Sequence, residues 1–78
     1  MKTETASSAS RAITVNGERV EVPAGASIAR LLCQQGRDPE TPGVAVALNG
    51  AVVRRKDWED TELSEGDEVE VITAFQGG

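Results

Sequence analysis

The sequence predicts a small α+β domain in which a mixed sheet of about five strands packs on one helix. Two observations support this fold class. Apolar residues alternate with polar ones around one Asn-Gly pair and form a continuous run before a second, and they recur with helical spacing in a stretch between the two. At 78 residues the chain suits one domain, which should bury roughly 60 % of the surface that the unfolded chain exposes. We therefore expect a single core and no deep cleft.

The first predicted element is a β-hairpin. Residues 12–15 and 20–22 alternate between apolar and polar side chains. The Asn16-Gly17 pair between them favours a tight turn with positive φ angles. Two antiparallel strands should therefore open the domain.

A helix is predicted from about Ser27 to Gln35. Ser27 is a good N-cap because its hydroxyl can accept a hydrogen bond from an unpaired amide, and apolar residues follow it at helical spacing. Gly36 suits the left-handed position that ends a helix. The stretch 37–43 contains two prolines, so it is predicted to be a loop.

A second hairpin and a final strand follow. The apolar run 44–48 leads through the turn pair Asn49-Gly50 into a strand at 51–53. Residues 56–60 should form a helical turn or an irregular loop that Trp58 anchors as a lid on the core. After a turn around Gly66, residues 68–74 alternate as the last strand. The order β-β-α-β-β-β is that of a β-grasp domain.

The domain is expected to span residues 11–74. Residues 1–10 are rich in Ser, Thr and Ala and lack apolar periodicity, which is typical of a disordered lead-in. Residues 75–78 should form a flexible tail.

The composition argues against several classes of function. The net charge is -5, from 13 acidic and 8 basic residues, so nucleic-acid binding is not expected. The chain has no histidine, which excludes catalytic triads and histidine-based zinc sites. Cys33 alone cannot form an internal disulfide or a thiolate zinc site. We predict no catalytic residue and no metal ligand.

The chain has no apolar run of the length that a secretory signal or a membrane span needs. We therefore expect a cytoplasmic protein that does not contact membranes. A single cysteine is consistent with a reducing compartment.

The last strand leads directly into Phe75-Gln76-Gly77-Gly78. If glycine occupies about 7 % of positions, a given pair of sites is Gly-Gly in only about 0.5 % of chains. Because glycine has no Cβ, such a tail can pass through a channel too narrow for side chains and present a terminal carboxylate. This favours Gly78 as a reacting residue, with Phe75, Gln76 and Gly77 threading the channel of a partner.

Strand alternation predicts where a partner would dock. Val69, Val71 and Thr73 share one face of the last strand and should meet the helix, so the opposite face should be open. That open face changes from acidic to apolar toward the tail, and small apolar residues of the neighbouring strand extend it. The residues expected to form this docking surface are Ile72, Ala74, Ala45 and Ala47.

Several motifs together resemble those of the ThiS family of sulfur carriers, which are ubiquitin-like β-grasp proteins. The resemblance covers about residues 12–78. Its motifs are the Asn-Gly hairpin, Ala47-Leu48-Asn49, the stretch 52–58 with Arg55 and Trp58, the stretch 65–71, and the Gln76-Gly77-Gly78 ending. One departure is Arg54, which stands where the family often has proline.

This resemblance implies a covalent carrier that supplies sulfur for the thiazole ring of thiamin. A ThiF-type adenylyltransferase would use ATP to convert the Gly78 carboxylate into an acyl-adenylate. Sulfur from a cysteine persulfide, supplied by a cysteine-desulfurase-type protein, would then give a thiocarboxylate for thiazole synthase, ThiG. The carrier itself would bind no cofactor and would not be an enzyme.

Other functions fit the same residues. A Gly-Gly end also occurs in MoaD-like carriers, and a carrier of this fold could serve another thio-cofactor or a cysteine pathway. A ubiquitin-like modifier would form isopeptide bonds with lysines, and a non-covalent β-grasp interaction module would need no reactive tail. The basic run 54–56 is either a contact for an acidic partner or an ordinary solvated turn.

Overall fold

The computed structural model describes residues 10–73, which form one five-stranded sheet, one α-helix and one 3-10 helix. In chain order the elements are β1 (Ser10–Val15), β2 (Glu18–Pro23), α1 (Ile28–Gln34), β3 (Val44–Leu48), β4 (Ala51–Val53), the 3-10 helix (Arg55–Asp60) and β5 (Glu68–Thr73). The predicted α+β class and order of elements are confirmed. β1 begins at Ser10, earlier than the sequence pattern suggests, and Ala74 lies outside the described residues.

The last strand of the chain lies at the centre of the sheet. The strand order is β2-β1-β5-β3-β4, with β5 parallel to β1 and antiparallel to β3. β1 pairs with β5 over two residues only, ending at Val15 and Val69. β3 pairs with β5 over five residues and reaches Thr73. The carboxyl end of β5 therefore has a neighbouring strand on one side.

Both hairpins turn through an Asn-Gly pair with positive φ at each residue. The φ angles are 53° and 87° at Asn16 and Gly17, and 51° and 87° at Asn49 and Gly50. This is the conformation of a type I′ turn, whose twist matches that of the flanking strands. The two predicted hairpins are confirmed.

Both ends of α1 are capped as predicted. The Ser27 hydroxyl accepts a hydrogen bond from the Arg30 amide at 3.2 Å. At the other end Gly36 has a φ of 78° and its amide donates to the Cys33 carbonyl at 3.0 Å. The Arg37 amide donates to the Leu32 carbonyl at 2.8 Å. These two bonds form a Schellman motif, which fixes the direction in which the chain leaves the helix.

The helix and the inner face of the sheet enclose an apolar core. None of the residues in 10–73 that are buried is polar or charged. Burying one such aliphatic or aromatic side chain contributes about 1.5–3 kcal/mol, so this cluster is the main source of stability. Its members are Ile13, Val15, Val22, Ala26, Ile28, Leu31, Leu32, Val46, Trp58, Leu63, Val69 and Val71.

Thr73 departs from its predicted environment. Val69 and Val71 are buried in the core as expected, but Thr73 is exposed, so the prediction that it meets the helix is wrong. A helix of 7 residues is about 10 Å long, whereas a strand of 6 residues spans about 20 Å. The helix therefore covers only part of β5.

Trp58 anchors the segment between β4 and β5. Its side chain is 2 % exposed, and its Nε1 donates a hydrogen bond to the Val53 carbonyl at 2.9 Å. Backbone hydrogen bonds from Ile28 to Thr61 and from Leu63 to Ala26 join the following residues to the start of the helix. The prediction that Trp58 is a core lid is confirmed, and the segment that it anchors is the 3-10 helix.

Arg55 joins this segment to the loop 37–43. Its guanidinium lies over the Trp58 ring, 4.7 Å from the ring centroid, which is a cation–π arrangement. Its Nη1 donates to the Pro39 carbonyl, and its Nη2 donates to the Thr41 carbonyl at 2.7 Å. Arg55 is therefore an internal contact of the fold, a role that the sequence did not suggest.

Replacing Arg55 with lysine should loosen the loop 37–43, because an ammonium group lacks the planar fork that reaches two carbonyls. We expect the free energy of unfolding in urea to fall by about 1–2 kcal/mol. Hydrogen exchange should also accelerate at the Thr41 amide, which donates to the Asp38 carbonyl. Arg54→Lys, at an exposed neighbouring position, is the matched control. Unchanged exchange at Thr41 in the R55K variant would contradict this role.

Candidate functional site

The predicted tail lies outside the described residues. Residues 74–78 include Gly78, the three tail residues before it and Ala74. The structure describes the end of β5, which precedes the tail in the sequence. It also describes the outer face of the sheet and the loop 37–43.

The Asn16 side chain supports β5 at the point where β1 has ended. Its Oδ1 accepts a hydrogen bond from the Val71 amide at 2.9 Å, and its Nδ2 donates to the Val71 carbonyl at 3.2 Å. The Asn16 amide donates to the Val69 carbonyl at 2.9 Å. The side-chain amide thus satisfies both backbone hydrogen-bonding groups of Val71 beyond the last β1–β5 pair.

The second Asn-Gly turn holds the other end of β5. Asn49 Oδ1 accepts from the Glu68 amide at 2.9 Å, and its Nδ2 donates to Asp67 Oδ1 at 3.1 Å. The other carboxylate oxygen of Asp67 accepts from the Ser64 amide at 2.7 Å. Gly66 between them has a φ of 84°, as the turn requires. Asparagine side chains therefore hold β5 at its first residue, Glu68, and again at Val71.

An apolar surface lies on the outer face of the sheet beside the end of β5. Antiparallel pairing puts Ala45 opposite Ile72, and Ala47 opposite both Glu70 and Val52. Residues opposite each other point to the same face. Among residues 10–73 the exposed large hydrophobic side chains are Val52 at 78 % and Ile72 at 57 %. We call Ala45, Ala47, Val52 and Ile72 the outer apolar surface.

Sequence reasoning missed Val52 although a signal was present. A two-residue Asn-Gly turn fixes the register, so Leu48 lies opposite Ala51 and Ala47 lies opposite Val52. Because Ala47 was expected on the open face, Val52 had to share it.

Arg54 adopts the backbone conformation that proline would have. Its φ of -67° and ψ of 147° match the values that a proline ring favours. The departure from the proline that is frequent in the family therefore leaves the local turn unchanged. The Arg54 and Lys56 side chains are exposed.

The described part of the chain presents surfaces rather than a reaction centre. Within residues 10–73 no group of three or more Cys, Asp or Glu residues could hold a metal ion. Cys33 is exposed on α1. A shallow depression of about 410 Å³ lies between the two Asn-Gly turns, and it is lined by Thr14, Gly17, Gly50, Glu68, Val69 and Glu70. None of these side chains is a nucleophile activated by a neighbouring base.

No helix within residues 10–73 is long and apolar enough to cross a membrane.

The chain is similar to members of one known protein family. The family model that matches the chain is that of the ThiS family, over residues 9–78. A similar solved structure is the thiamine biosynthesis protein ThiS from Geobacter metallireducens. It is 32 % identical, has a TM-score of 0.70, and the match covers 86 % of this chain and 97 % of that one. A search of curated proteins finds no match.

The five-stranded mixed sheet, the single α-helix and the similarity to ThiS confirm the predicted ubiquitin-like β-grasp fold of this chain. Members of this family are small carrier proteins. The chain belongs to the ThiS family of sulfur carriers.

Proposed function

We propose that this chain carries sulfur for thiamin biosynthesis as a thiocarboxylate at Gly78. The observation that carries the proposal is the central position of β5. The end of this strand lies beside the outer apolar surface, and in the sequence it is followed by the Gly-Gly tail. Family membership supports the same reading, and the ThiS neighbour is named as a thiamine biosynthesis protein.

The first step is activation of the carboxylate by a ThiF-type adenylyltransferase. A Gly78 carboxylate oxygen attacks the α-phosphorus of ATP, pyrophosphate leaves, and a mixed anhydride with AMP forms. A free carboxylate is inert toward nucleophiles, and AMP is a good leaving group, so this step makes acyl transfer possible. The partner binds ATP, and this chain supplies only the acyl group.

Sulfur then replaces AMP. The terminal sulfur of a cysteine persulfide from a cysteine-desulfurase-type source attacks the carbonyl carbon, and AMP leaves. A thiol then reduces the sulfur–sulfur bond, and the thiocarboxylate remains on Gly78. Thiazole synthase, ThiG, takes up this soft nucleophile. We place the carrier and these partners in the cytoplasm.

The outer apolar surface is the proposed docking site for the adenylyltransferase. Ile72 lies two positions before Ala74, the residue that precedes the tail, and Ala45 lies directly opposite Ile72. Alanines leave this part of the sheet smooth, so a partner can approach the backbone while Ile72 and Val52 supply most of the apolar area. Alternation along the sequence predicts Ala74 on the same face, and this residue lies outside the described range. Docking here would put the partner's channel next to the tail.

Removing Gly78 should abolish sulfur loading, because the residue that forms the acyl-adenylate is then missing. After incubation with a ThiF-type enzyme, ATP and a persulfide source, the intact mass of the wild-type chain should rise by the difference between sulfur and oxygen. A variant that lacks residues 2–8, outside the family match, is the control and should load normally. A thiocarboxylate on the chain without Gly78 would refute the proposal.

The same mass spectra distinguish the other functions. Conjugates to lysines would indicate a ubiquitin-like modifier, and binding without any change in mass would indicate an interaction module. A carrier that loads but does not support thiazole formation with ThiG would serve a MoaD-like or another thio-cofactor pathway.

Replacing Ile72 with aspartate should impair adenylation in trans while the domain stays folded, because the side chain is exposed in the free carrier. Losing about 1.5–3 kcal/mol of apolar contact corresponds to a rise of about 10- to 100-fold in KM for the carrier. Ala24→Asp adds the same charge at an exposed turn away from this face and is the matched control. Thermal unfolding checks the fold of both variants, and unchanged kinetics of the I72D variant would count against docking at this surface.

A further inference from the structure

A hydrogen bond between Arg37 and Thr73 joins the end of the helix to the base of the tail. Arg37 Nη1 donates to Thr73 Oγ1 at 3.1 Å, across 36 positions of the sequence. Thr73 is the last residue of β5, and Arg37 directly follows Gly36, which ends the helix. The contact therefore lies where the tail continues from the sheet.

Arg37 is held in place for this contact. Its amide is fixed by the 2.8 Å bond to the Leu32 carbonyl in the Schellman motif. Asp38 Oδ1 accepts a hydrogen bond from the Glu40 amide at 2.9 Å, and the Asp38 carboxylate forms no ion pair with the Arg37 guanidinium. Within residues 10–73 Arg37 forms no ion pair. Among the described residues, Thr73 is thus the hydrogen-bond partner of the Arg37 guanidinium.

Thr73 is also the place where such a contact has most effect. On one side of β5 the last support is the Asn16 side chain, which reaches Val71 but not Thr73. On the other side Thr73 pairs with Val44, the first residue of β3. A strand end with a neighbour on one side only can pivot about that neighbour, and the Arg37 side chain opposes this motion.

The position and direction of Thr73 determine the region in which Gly78 can be found. The five residues 74–78 span at most about 17 Å, so the Gly78 carboxylate stays within about that distance of Thr73. Productive placement of a reacting group tolerates errors of about 1 Å or less. The direction at the base therefore affects how often the carboxylate reaches a partner's channel.

We propose that Arg37 is a positioning residue that, through Thr73, orients the tail before an adenylating partner captures it. This inference rests on the proposed function. Orienting the tail in the free carrier lowers the entropy lost on capture. Once the tail is inside the channel, the partner holds it and Arg37 no longer matters. Loss of the contact should therefore raise KM for the carrier and leave kcat nearly unchanged.

The test compares Arg37→Met, Thr73→Val, the double variant and the conservative Thr73→Ser in a pyrophosphate-release assay with a ThiF-type enzyme. R37M and T73V should each raise KM about fivefold, with kcat within about twofold of wild type. The double variant should be no worse than either single variant, because both remove the same bond. T73S should retain wild-type KM. Arg30→Met removes the same charge from an exposed position on the helix and should have no effect.

Amide heteronuclear NOE values of the free carrier give a second readout that needs no partner. The value at Thr73 should fall in R37M and T73V and stay at the wild-type level in T73S. Unchanged values would overturn the inference, and so would a raised KM in R37M without one in T73V, since Arg37 would then contact the partner directly. If the enzyme does not adenylate the wild-type chain, the proposed function fails, and the NOE values still decide whether Arg37 orients the base of the tail.

Discussion

The backbone hydrogen bonds of β5 are the interaction on which the rest of this domain depends. This strand enters last and lies between β1 and β3, so the two hairpins become one sheet only when it is in place. Asn16 and Asn49 bind its backbone from the two turns and add side-chain support where the strand ladders stop. The tail therefore follows, in the sequence, a central strand of the sheet rather than an edge strand.

The size of the domain determines how it can take part in chemistry. One short helix packs on one face of the sheet, and within residues 10–73 no further layer covers the other. The open face is thus a direct consequence of the fold, and in β5 it carries Glu68 and Glu70 at one end and Ile72 at the other. The described residues enclose no cleft that excludes water, so in the proposed function the chemistry takes place in the partner enzymes.

Local patterns in the sequence predicted most of the fold but fewer of its contacts. The two Asn-Gly turns and the caps of α1 depend on residues within a few positions of one another, so the sequence is sufficient to predict them. Arg55 meets the loop 37–43 across 14 or more positions, and Asn16 meets Val71 across 55. No periodicity encodes such pairs, because they arise only when the sheet brings distant segments together. The exposure of Thr73 was missed for a similar reason, since alternation gives the face of a residue but not the extent of the helix that covers it.

In the proposed function, a partner must capture the tail while the end of β5 stays fixed in the sheet. Ordering a residue costs about 1–2 kcal/mol of conformational entropy, so capturing the five residues after Thr73 costs about 5–10 kcal/mol before any contact is made. If the end of β5 also frayed, each further residue would add to that cost and weaken capture by every partner. The contacts of Asn16 with Val71 and of Arg37 with Thr73 hold the last residues of β5 in place. The entropy that is lost on capture also keeps binding reversible. In the proposed function this lets the loaded carrier leave one enzyme and reach the next.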